Sequence, residues 1–121
     1  MTDEKRIKTT RETATRFEKE FRKYQKLFGL TGWDVSFIVA PLVNSRATVH
    51  YAGSDCIATV ALNDTQVVRE SSISDIKELA KHEAIHLLLA RYDYLASARY
   101  IGADELAQAN EEIVVKLTEL I

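Results

Sequence analysis

The run from Ile73 to Arg91 contains no glycine or proline, and Leu79, Ala80, Ala84, Leu87, Leu88 and Ala90 give it apolar residues on most sides of a helical projection. A helix of that kind has to be surrounded, because no single orientation leaves only polar residues in water. Ser72-Ile73-Ser74-Asp75 has the form of a capping box and marks its start. The rest of a 121-residue chain, long enough for one core, must supply the cover.

Residues 9–28 place Phe17, Phe21, Tyr24 and Phe28 at i, i+4, i+7 and i+11, the single stripe of an amphipathic helix. Gly29 ends that helix, with Gly32 just beyond. Trp33–Val39 then reads as a strand, and Pro41 with Asn44-Ser45 as a turn. Arg46–Ala52 and Cys56–Leu62 read as two more strands, joined by a hairpin at Gly53-Ser54-Asp55. The expected sheet has three short strands, mostly antiparallel. A connection bearing Tyr92, Tyr94 and Tyr100 ends at Gly102, and a last helix, Ala103–Leu120, aligns Leu106, Asn110, Ile113, Leu117 and Leu120 on one face. Helix, small sheet and two helices make an α+β fold, expected to form one domain over residues 1–121.

At 46% hydrophobic and 28% charged residues, the composition excludes disorder and low-complexity architectures. No apolar run approaches the ~20 residues that span a bilayer. The charged N-terminus, MTDEKRIKTTRE, has no apolar signal core, and Cys56 is alone, so no intrachain disulfide can form. A cytoplasmic protein with no membrane partner is expected. Residues 1–28 hold nine Lys or Arg against five acids, but the acids fall among the bases at helical spacing, as on a solvated face. Nucleic acid is therefore not the expected partner.

The apolar helix carries His82-Glu83-Ala84-Ile85-His86, the pattern H-E-x-x-H. Residues four apart on a helix are ~40° round and ~6 Å along the axis, so both imidazoles project on one side and can grip one ion. Zinc suits imidazole nitrogens at ~2.0–2.1 Å and takes a third protein donor, leaving one position for water. Glu83 lies ~100° round from His82, where it can approach that water rather than the ion and take its proton.

At these residues the chain resembles the zincin metallopeptidases. The order of its helices is similar to the gluzincin branch, in which a glutamate from a later helix is the third zinc ligand. The metzincin extension is missing, since Leu89 and Tyr92 stand where its glycine and third histidine fall, and His50 is the only other histidine. Asn110-Glu111-Glu112-Ile113 resembles the Asn-Glu-x-Ile stretch of thermolysin-like enzymes, which implies Glu111 as the third ligand beside His82 and His86. Glu112, Glu105 and Cys56 are the other candidate donors. Val115 stands where those enzymes carry an aspartate beside a ligand histidine. In length the chain resembles minimal phage- or bacterium-associated zincin-like proteins.

The resemblance implies a zinc-dependent metallopeptidase acting on a peptide or protein, with Glu83 activating the attacking water. It also implies that the strand before the zinc helix, Cys56–Leu62, lies at the sheet edge and pairs with extended substrate, with a plain interior strand as the alternative. Tyr92, Tyr94 and Tyr100 are candidates to donate to an oxyanion. The alternative is a non-hydrolytic zinc-binding or interaction protein on a zincin-like fold.

Overall fold

The computed structural model describes residues 5–52, 55–97 and 102–120. In chain order the elements are β1 (Arg6–Lys8), α1 (Arg11–Leu27), β2 (Asp34–Ala40), β3 (Ala47–Ala52), β4 (Ile57–Asn63), β5 (Thr65–Val67), a 3-10 turn (Val68–Glu70), α2 (Ile73–Ser97) and α3 (Ala103–Leu120). The architecture is α+β, as the sequence implies.

Helix α1 starts at Thr10, whose hydroxyl accepts the Thr13 N–H at 3.1 Å, and stops at Gly29, whose φ of +70° suits a residue without a Cβ. Phe17 and Phe21 are buried and meet the Phe37 ring edge-on, with centroids 6.4 and 5.2 Å away. The basic face is solvated where Arg16 pairs with Glu12 and Lys23 with Glu20. Arg22 departs from it, donating to the Val35 carbonyl at 2.9 Å with its guanidinium over Phe37. Buried Gln25 donates to the carbonyls of Leu30 and Trp33, which fixes the turn into β2.

The three-stranded sheet has the order β2-β4-β3. Strand β3 pairs with β4 antiparallel, Val49 opposite Val60, whereas β2 pairs with β4 parallel, Phe37 opposite Val60. The sheet is thus mixed rather than mostly antiparallel, and β4 is its centre rather than its edge. The reason lies in β4 itself, where Ala58, Val60, Ala61 and Leu62 are buried regardless of the face they point to. A strand that is dry on both faces belongs between two neighbours. Of the expected hairpin turn, Gly53 and Ser54 lie outside the described residues, and the Asp55 N–H donates to the Ala52 carbonyl.

Strands β1 and β5 form a separate antiparallel pair that no sequence pattern announced. Asn63 anchors this corner, its amide donating to the carbonyls of Leu42 and Ser45 while its oxygen accepts from the Thr65 N–H.

Helix α2 packs Ile76, Leu79, Ala80, Ala84 and Leu87 into the core between α1 and the sheet. It runs on to Ser97 rather than ending near Arg91, since no glycine or proline interrupts the chain before Gly102. Tyr92 and Tyr94 are therefore helical, not part of a connection. Helix α3 lies on the rim and buries only Ala109 fully. No helix among the described residues is long and apolar enough to cross a membrane.

Phe21→Ala removes the most enclosed aromatic ring of the core and should lower stability by about 3–5 kcal/mol. Urea unfolding would show this as a lower midpoint at an unchanged slope.

Candidate metal centre

Helix α2 buries one flank, and one row along it runs Leu79, Glu83, Leu87, four residues apart and all buried. The middle position of an apolar row is thus occupied by a carboxylate that is only 5% exposed. No described side chain donates a hydrogen bond to it, and burial alone pushes its pKa up from 4.5 to about 7. One residue before each of Glu83 and Leu87 the helix surface opens, and His82 and His86 are both exposed there, whereas Ala80, Ala84 and Leu88 on the other side of the row are buried.

The two Nε2 atoms lie 3.2 Å apart. An ion held tetrahedrally at ~2.0–2.1 Å needs its ligand atoms about 3.3–3.4 Å apart, so the pair is spaced for one ion without rearrangement. The ligand atoms of His82, Glu83 and His86 all lie within 4.8 Å of one another, a group able to hold a metal ion. Two neutral imidazoles and a carboxylate suit a divalent transition metal.

The group opens onto a cleft of about 860 Å³, walled by β3 and α2 and closed at one side by Asn110 and Ile113 of α3. That volume falls in the range of small-ligand sites. Because β4 is central, the strand along the cleft is β3, whose outer side has no partner strand among the described residues. The expectation that Cys56–Leu62 offers an edge to substrate is therefore corrected: the edge beside the histidines is Ala47–Ala52. Thr48 Oγ1, on this wall, is the one buried side-chain polar atom without a hydrogen-bond partner among the described residues.

The other expected donors are not brought to the pair. Glu111 is exposed and outside the group. It sits ~100° round the helix from Asn110 and ~160° from Ile113, the two residues of α3 that line the cleft. Glu112 accepts from Arg91 on the far side of α2. Glu105 and Cys56 are exposed and also outside the group. Val115 is half exposed, away from both histidines. Of the tyrosines, Tyr92 lines the cleft, Tyr94 does not, and Tyr100 lies outside the described residues.

Tyr51 and Asp93, both in the cleft, are not singled out by the sequence. Tyr51 of β3 donates its hydroxyl to the Asp93 carboxylate of α2 across the cleft. Burial first, and then that carboxylate, push the phenol up to about 12, so it keeps its proton. Asp93 is seven residues beyond His86, on the same helical face, a signal that was legible only once α2 was known to continue past Arg91.

Comparison with protein-family models, curated proteins and solved structures finds no match for this chain.

The raised Glu83 value has a definite sign for the metal-free protein. Between about 4.5 and about 7 the folded chain keeps a proton that the unfolded chain has lost. Stability from this group is thus present at low pH and lost as the pH rises through about 7. Relative to the parent, Glu83→Gln should gain about 1–3 kcal/mol at pH 8 and little at pH 4.5, as read by urea unfolding in chelator. An equal difference at both pH values would show that the carboxylate is not desolvated.

Proposed function

We propose that this chain is a zinc-dependent metallopeptidase, with His82 and His86 as zinc ligands and Glu83 as the proton acceptor. The observation that carries this reading is the pairing of two imidazole nitrogens, 3.2 Å apart, with a buried carboxylate on the neighbouring row of the same helix. A carboxylate in an apolar row is costly to the fold, so its presence there needs a chemical reason.

When bound, zinc supplies Lewis acidity towards a peptide carbonyl and makes water a nucleophile near neutral pH. The chain's own residues do the rest. His82 and His86 present their Nε2 atoms to the cleft from one face of α2. Glu83, largely screened from bulk water, takes a proton from the attacking water at a carboxylate oxygen and is placed to return it to the leaving amine. The free edge of β3 offers backbone N–H and C=O groups to an extended peptide, the pairing mode of strand addition.

Glu111 is the proposed third ligand on its resemblance to the Asn-Glu-x-Ile stretch alone. The geometry favours a second reading in one respect: among the described residues, the only carboxylate gathered with the histidines is Glu83. If Glu83 is itself a ligand, the site is a non-hydrolytic zinc centre.

Zinc titration of the metal-free protein separates these. Under the peptidase reading the parent binds one equivalent, His82→Ala loses it, and Glu83→Gln keeps it while cleavage of a peptide library disappears. A large fall in zinc affinity in Glu83→Gln moves that residue into the ligand set and supports the second reading. Cleavage at the parental rate in Glu83→Gln overturns the mechanism. Glu111→Ala should weaken zinc at least tenfold and Glu112→Ala should not; the reverse result transfers the third ligand to Glu112.

A further inference from the structure

The cleft extends well beyond the histidines. Its α2 wall continues from His82 to Asp93, and its β3 wall from Ala47 to Tyr51. Asp93 lies two helical turns past His86, about 10 Å along the axis and within ~20° of the same direction round it. It is thus at the far end of the same channel as the metal pair.

Three histidines, His50, His82 and His86, share that channel with two carboxylates. No lysine or arginine among the described residues lines it, and Glu83 and Asp93 are its only carboxylates. Glu83 is buried at the histidines, so the accessible negative charge is that of Asp93, which is exposed. Arg91, the cation nearest to it in sequence, is turned away onto Glu112 of α3. The Tyr51 hydroxyl holds one Asp93 oxygen in place, Oδ2, and neither carboxylate oxygen has a cationic partner among the described residues. Tyr51 and Tyr92 both line this end of the cleft, giving aromatic surface for the alkyl stem of a long side chain.

We propose that Asp93 sets the substrate preference of the cleft, its carboxylate recognising the lysine or arginine side chain of an extended peptide. This rests on the metallopeptidase reading and names its substrate class. An extended strand rises ~3.3 Å per residue, so the basic residue stands about three positions from the bond presented to the histidines. Tyr51 acts as the positioning residue, holding the carboxylate towards the channel.

The test uses zinc-saturated Glu83→Gln and fluorescent decapeptides of alanine and glycine in which one Lys, Glu or Ala is walked through the positions. Fluorescence anisotropy should give about five- to tenfold tighter binding for Lys than for Ala or Glu at one position. The preference should fall to within twofold in the Asp93→Asn background, reverse towards Glu in Asp93→Lys, and shrink in 0.5 M salt. A purely structural Tyr51–Asp93 tether would lower thermal stability in Asp93→Asn and leave the preference unmoved. Equal affinity for the three peptides, a preference that survives Asp93→Asn, or no peptide binding at all overturns the proposal. Peptide cleavage by the zinc-loaded parent is assayed in parallel. Cleavage without a basic preference overturns the role of Asp93 alone, whereas a basic preference in binding without cleavage keeps that role and overturns the peptidase reading.

Discussion

The arrangement depends on a carboxylate held where water barely reaches. Glu83 occupies the middle of the Leu79–Glu83–Leu87 row, the part of α2 that the fold encloses. Its position fixes the rest of the site, because His82 and His86 must then fall on the adjoining strip of helix. That strip cannot be covered without burying both imidazoles too, so α2 has to be packed on one flank and open on the other. The core provides the packed flank through α1, with Phe17 and Phe21 against Phe37, and through the inner face of the sheet. The cleft is the open flank.

What shapes that cleft is the strand order. Had the strands been laid down in sequence order, β4 would be an edge and β3 the centre. Instead β4 takes the centre because both of its faces are apolar, and β3 is displaced to the side beside the histidines. The unpaired backbone edge and Tyr51 both reach the cleft for this one reason. The length of α2 adds the other wall, since its uninterrupted course to Ser97 carries Asp93 into the channel. Helix α3 contributes Asn110 and Ile113 and little else, which fits an element with a single fully buried residue.

Much of this was legible in the residues. The phenylalanine stripe of α1, the α+β class and the two histidines projecting together from one helix all follow from local periodicity. The site's outer parts were not legible. Glu111 and Glu112 are neighbours on one helix, and the face of α3 that meets the cleft depends on how α3 sits on the rim, which no spacing within the helix specifies. Tyr51 resembles any half-buried strand tyrosine until β3 is known to be an edge. The near-continuous apolar run of β4 is the sign that separates an interior strand from an edge strand.

The sequence by itself determined the three main helices, though not that α2 runs on past Arg91, and that His82, Glu83 and His86 lie within one turn. Those are consequences of side-chain spacing on a backbone of fixed pitch, acting over a few residues. Only the tertiary structure decided that the glutamate is buried and the histidines open, that β3 and not β4 borders them, and that Asp93 shares their cleft. Burial and strand order result from competition among all the apolar surfaces of the chain for one core, and no local pattern records the outcome of that competition.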